Sequence, residues 1–153
     1  MATIVLAGGG TAGHIEPALA VARVWRDAHP SDLIRFIGTK NGLENTLVPA
    51  AGFTLAHIPK ISIARKPSLT WLKIPFDLAR AVATSRIICK DADLLIGFGG
   101  YVSAPAYLAA RLASIPTVIH EANAKPGWAN RLGALITPYL AVTNGIESRG
   151  FGD

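Results

Sequence analysis

Apolar residues along this chain fall into short unbroken blocks separated by stretches of helical periodicity. Thr3, Ile4, Val5, Leu6 and Ala7 form the first block and run into glycines. An apolar run without polar alternation predicts a parallel strand buried on both faces. Ala18, Val21, Ala22 and Trp25 then recur at helical spacing, opposite Arg23, Arg26 and Asp27. That helix is expected to open at Glu16-Pro17, because proline is tolerated in a first turn. Further strands are predicted at 33–37, 53–58, 94–96, 117–119 and 139–142. Helices are predicted at 43–51 (interrupted near Pro49), 77–90 (Leu78, Val82 and Ile88 inward), 104–113 and 128–136. Pro67 and Pro75 leave residues 60–75 without an assigned element.

Alternating strands and helices imply right-handed crossovers and an α/β, Rossmann-like doubly wound parallel sheet. The expected strand order is 3-2-1-4-5-6, with ligands bound where the winding reverses, at the carboxyl ends of strands one and four. The two most glycine-rich loops follow those strands. They are Gly8-Gly9-Gly10-Thr11-Ala12-Gly13 (loop one) and Gly97-Phe98-Gly99-Gly100 (loop two). The topology therefore brings them together although about ninety residues separate them in sequence.

Composition narrows the class. The 153 residues fit one domain, and half are apolar. No apolar run approaches the ~18 residues of a spanning helix. The chain enters its first strand without a basic leader, which predicts a protein made and kept in the cytoplasm. The single cysteine, Cys89, rules out an internal disulfide and any cysteine-rich zinc site. The net charge of +5 is local. Residues 60–90 hold seven Lys and Arg against Asp77 alone, so this segment carries +6 and the remainder −1. Its cations interleave with Ile61, Leu69, Trp71, Leu72, Ile74 and Phe76. That mixture suits an anionic membrane surface, or equally a solvated helix face over core residues. No nucleic-acid-binding motif accompanies it, so nucleic acid is not expected as a partner.

Loop one satisfies G-x-G-x-x-G through Gly8, Gly10 and Gly13. This pattern lets a phosphate approach backbone N–H groups at a helix start, but alone it is also just a tight turn. A nicotinamide dinucleotide site needs an acid after strand two. Here Gly38-Thr39-Lys40-Asn41 follows, with no acid before Glu44, which disfavours that reading, though Lys40 leaves a phosphorylated dinucleotide open. His14 follows loop one at the helix start. The dipole there favours neutral imidazole, which can serve as a base; hydrogen bonding to loop backbone is the plainer role. Ser103 stands at an expected N-cap after loop two. His120-Glu121-Ala122-Asn123 leaves strand five at the same edge, as part of a site or as a cap for the next helix.

Taken together, GGGTAGHIEP at 8–17, GFGGYVSAP at 97–105 and HEANAKPGWANR at 120–131 resemble the MurG family. The order and approximate spacing of all three are kept over essentially the whole chain. The resemblance implies a two-domain GT-B glycosyltransferase, of which residues 1–153 match only the N-terminal, acceptor-binding domain. The C-terminal domain, which makes most donor contacts, is not matched. The implied reaction is inverting transfer of N-acetylglucosamine from UDP-N-acetylglucosamine to lipid I, giving lipid II for peptidoglycan. Neither cofactor nor metal is implied.

Carried over by position, Gly9, Gly10, Gly99, Gly100, Tyr101 and Ser103 belong to the loops that hold the acceptor's diphosphate. Thr11, Ala12, Gly13 and Asn123 fall where the family contacts the donor, His120 and Glu121 join the substrate site, and His14 matches a proposed catalytic base. Lys66, Trp71, Leu72, Lys73, Phe76 and Arg80 match the region that seats the family peripherally on the cytoplasmic face of the membrane. Ala12 replaces a glycine common in relatives and would resist a positive φ. A stand-alone binding module for lipid-linked diphosphates or nucleotides is the alternative reading.

Overall fold

The computed structural model describes residues 1–61 and 69–143. Among these residues six strands form one parallel sheet: β1 (Thr3–Gly8), β2 (Leu33–Gly38), β3 (Thr54–His57), β4 (Leu94–Gly99), β5 (Thr117–Glu121) and β6 (Leu140–Val142). The order is β3-β2-β1-β4-β5-β6, as the alternation of elements predicts. The helices are α1 (Ala12–Ala28), α2 (Glu44–Ala50), α3 (Ile74–Ile88), α4 (Ser103–Leu112) and α5 (Trp128–Ala134).

All six residues of β1 are buried. Its side chains alternate between two apolar clusters. Ile4 and Leu6 point to α1 and α2, joining Ile15, Leu19, Phe36, Val48 and Phe98. Val5 and Ala7 point to the other face, with Ile37, Ala81, Leu95, Ala106, Tyr107 and Ile119. Each face of the sheet is therefore covered, which is why its central strands lack polar alternation.

Several boundaries differ from expectation. Helix α1 starts at Ala12, not at Glu16-Pro17, and Pro17 lies inside it. Thr11 is the residue before the helix, in extended conformation, so the turn is finished one residue after Gly10. Strand β4 runs on to Gly99, pairing Ala7 with Gly97 and Gly8 with Gly99 across a register shift. The glycines of loop two are thus partly strand. Helix α3 starts at Ile74, with Pro75 in its first turn, after a 3-10 turn at Leu69–Lys73. Its buried residues are Ala81 and Ser85, whereas Leu78, Val82 and Ile88 are only half-buried. Ala81 lies in the same cluster as Ala106 and Ala110 of α4. Small side chains let the two helices approach closely, and the larger ones are left at the rim.

Candidate functional site

Loops one and two meet at the carboxyl ends of β1 and β4, and glycine is what permits the contact. Gly100 has φ +80°, and a Cβ there would collide with the carbonyl oxygen of Gly9. Gly99 has φ +92°, and a Cβ there would lie 3.0 Å from Cδ2 of His14. The imidazole of His14 is therefore seated against the backbone of loop two, although it belongs to the first turn of α1. Its Nδ1 lies 3.0 Å from the hydroxyl of Thr11. Thr11 makes no side-chain cap to the helix, so its hydroxyl serves the histidine instead. Ala12 is helical, and Ser114 is the one non-glycine with positive φ among the described residues, so the expected objection to alanine does not arise.

A buried carboxylate ties the loops together from behind. Glu44, fully buried at the start of α2, accepts from the Gly10 N–H (3.1 Å) and from the N–H (2.9 Å) and hydroxyl (3.0 Å) of Thr39. The single Thr39 proton goes to the carboxylate, so the Tyr101 hydroxyl donates to Thr39 Oγ1, at 2.9 Å. One circuit thereby joins loop one, the end of β2, α2 and loop two. It also removes Glu44 from service as the ribose-binding acid of a dinucleotide site, since its oxygens already hold three donors.

A second network sets the β5–α5 connection. Glu121 Oε1 accepts from the N–H and side-chain amide of Asn123 (2.9 and 2.8 Å). Its Oε2 accepts from the Gly127 N–H (3.1 Å) and Asn130 Nδ2 (2.9 Å). Burial alone raises the Glu121 carboxyl, but these four donors outweigh it and hold the group below its ordinary value. Asn130 also accepts the Tyr107 hydroxyl proton at 2.7 Å. Burial pushes the Tyr107 phenol up, keeping it neutral as that donor. His120 is half-buried against the Phe98 ring, 5.2 Å between centroids. Burial pulls its imidazole below the ordinary value, against the attraction of Glu121.

The residues expected at the site thus separate by exposure. Thr11, Ala12, Gly13 and Asn123 are exposed, while Gly10, Gly100, Tyr101, His14 and His120 are half-buried around the same edge. Gly9 and Gly99 are buried and present backbone only. Ser103 and Glu121, expected as ligand contacts, have their side chains out of solvent. Ser103 is also not an N-cap: it is the first residue of α4 after Val102. Its hydroxyl lies 2.8 Å from the carbonyl oxygens of both Ala7 and Gly99 and accepts from the Gly99 N–H at 3.1 Å. Both residues support loops rather than line the crevice.

Sequence reasoning missed Glu44, Thr39, Tyr107 and Asn130 as parts of the machinery. The available signal was polarity on faces that the pattern buries, as at Asn130 within 128–136.

Of the basic segment, Trp71, Leu72, Lys73, Phe76 and Arg80 are exposed, with Leu72 at 70% and Phe76 at 72%. Lys66 lies outside the described residues. A shallow apolar groove of about 540 Å³ continues this face between α3 and α4, lined by Leu78, Val82, Leu108 and Leu112 among others. Among the described residues no helix is long and apolar enough to cross a membrane, and no cluster of three or more His, Cys, Asp and Glu has metal-binding geometry.

The family model of the glycosyltransferase family 28 N-terminal domain matches residues 4–138. The chain belongs to this family. A Thermobifida fusca protein is 52% identical over 139 residues, which is 90% of this chain and 37% of that protein. A Rhodococcus erythropolis protein is 49% identical, over 99% of this chain and 42% of its own length. Both are named UDP-N-acetylglucosamine--N-acetylmuramyl-(pentapeptide) pyrophosphoryl-undecaprenol N-acetylglucosamine transferase. The crystal structure of Acinetobacter baumannii MurG superimposes with a TM-score of 0.81 at 30% identity, covering all of this chain and 43% of that one. The resemblance carried by the three motifs is therefore met along the chain. This family 28 domain spans about two fifths of the length of the curated relatives it matches.

Proposed function

We propose that the domain is the acceptor-binding half of an inverting transferase that moves N-acetylglucosamine from UDP-N-acetylglucosamine to lipid I, a muramyl pentapeptide on a diphosphate lipid. The observation that carries the reading is the meeting of two glycine loops around His14, at the carboxyl edge of the sheet. The half-buried backbone of Gly10 and Gly100 lets an anion come close beside loop two, with the Gly10 N–H itself held by Glu44, and the acceptor's diphosphate is the anion assigned here. Thr11, Ala12, Gly13 and Asn123, on the open side of the crevice, face the donor, whose main contacts belong to a second domain. No cofactor or metal enters this scheme.

In the reaction a muramyl hydroxyl attacks the donor's anomeric carbon, the bond from that carbon to the diphosphate breaks, and UDP leaves with the electron pair. The transition state is oxocarbenium-like, as in other glycosyl chemistry. In the tautomer in which Nδ1 of His14 donates to the Thr11 hydroxyl, Nε2 presents its lone pair and takes the muramyl hydroxyl proton. The rigid seat against Gly99 and Gly100 fixes the direction of that lone pair.

The exposed apolar and basic face of α3 and the turn before it seats the enzyme peripherally on an anionic membrane, on the cytoplasmic side, where the lipid acceptor's head group is in reach. Supporting this are Leu72 and Phe76, large apolar groups standing in water beside Lys73 and Arg80.

The test is turnover of UDP-N-acetylglucosamine with a lipid I analogue. The full-length protein is expected to release UDP and extend the acceptor, and residues 1–153 alone to do neither. Turnover by the isolated domain, or none by the full-length protein, contradicts the proposal.

A further inference from the structure

A second polar cavity lies on the same edge of the sheet, away from the crevice. It has a volume of about 420 Å³ at the carboxyl ends of β2 and β3, and its lining includes Thr39, Lys40, Asn41, His57, Lys60 and Thr84. None of the described lining residues is acidic, and two are lysines. The proposed reaction leaves this cavity unused.

We propose that this cavity binds a carboxylate of the acceptor's peptide. The inference rests on the reading of the acceptor as a muramyl pentapeptide. Three observations lead to it. First, the cavity is excess positive charge in a concave polar setting, which selects an anion. Second, its free donors are few and defined. The Thr84 hydroxyl already donates to the Arg80 carbonyl (2.9 Å), and His57 Nε2 donates to Asn45 Oδ1 (2.8 Å). Thr39 has given its proton to Glu44. Lys40, Lys60 and the Asn41 amide remain as the anion's partners. Third, the cavity is mechanically joined to the crevice, because Thr39 lines it and also receives the Tyr101 hydroxyl of loop two.

The spacing agrees. The crevice sits between β1 and β4 and the cavity at β2 and β3, two strand spacings or roughly 10 Å across the sheet. Five extended residues reach roughly 17 Å at most. A peptide whose muramyl end is at His14 is therefore long enough to bring one of its carboxylates into the cavity.

The experiment is calorimetric binding of muramyl pentapeptide to the full-length protein, with transfer measured on the same samples. The Lys40→Gln/Lys60→Gln double variant is expected to bind about tenfold more weakly. Its kcat stays unchanged with acceptor saturating, since neither lysine is in the crevice. Pentapeptide with its carboxylates amidated is expected to lose a similar factor on the wild-type protein and nothing further on the variant. The proposal is overturned if amidation leaves wild-type affinity unchanged, if wild type does not bind the peptide, or if the variant equally loses a peptide-free muramyl diphosphate. That last outcome assigns the lysines to phosphate. Absence of transfer by the wild type, with the binding differences intact, sinks the transferase reading and leaves the cavity's assignment standing.

Discussion

Glu121 shows how much of this site is held by single buried groups. Its two oxygens accept four N–H donors and have none to give. Glu121→Gln puts an NH₂ where donors already point, so at least two partners lose their acceptor. A loss of about 2 kcal/mol is expected, read as a lower denaturation midpoint with an unchanged slope. The sign of the pH dependence follows from the same residues. Glu121 and His120 both titrate below their ordinary values of 4.5 and 6.5 in the folded protein. The unfolded chain therefore binds their protons first. The stability they contribute is complete above those ordinary values and is lost as pH falls through the folded ones. Thermal melts from pH 7 to 3 are expected to show a falling midpoint, and below pH 4.5, where the Glu121 contribution is lost, the fall is expected to be shallower in Glu121→Gln. A midpoint that rises on acidification would contradict this assignment.

At the scale of elements, the strand order and the meeting of the two glycine loops were legible in the sequence. Apolar blocks without alternation are specific to buried parallel strands, and the winding rule then leaves one place for the loops. Boundaries were less legible where glycine lets strand pairing continue, as at Gly97 to Gly99, and where proline is tolerated inside a helix, as at Pro17. The circuits through Glu44 and Asn130 were not legible, because their partners lie on different elements and no local spacing marks them. The contact between the loops is itself testable. Gly100→Ala places a Cβ against the Gly9 carbonyl at a positive φ, and is expected to cost roughly 2 kcal/mol or more. Helix α3 makes a different prediction. Leu72→Asp with Phe76→Asp is expected to weaken binding to anionic vesicles at least tenfold, and Lys73→Glu to reduce its salt sensitivity. Binding that is equal on neutral vesicles and indifferent to salt would remove the membrane role.

Over the whole molecule, one edge of the sheet collects the chemistry, and the bulk of the domain holds that edge rigid. Two apolar clusters lock the sheet from both faces, and two buried carboxylates fix the connections that leave it. His14 stands where these constraints converge, seated on loop two and oriented by Thr11. The central claim is that this histidine takes the acceptor's proton rather than binding the donor. The direct measurement is transfer of labelled N-acetylglucosamine to a lipid I analogue by full-length wild type and His14→Ala, with donor affinity determined on both. Turnover by His14→Ala is expected to fall on the order of a hundredfold with donor affinity nearly unchanged. Turnover near wild type, or a loss that appears wholly as weaker donor binding, would contradict it.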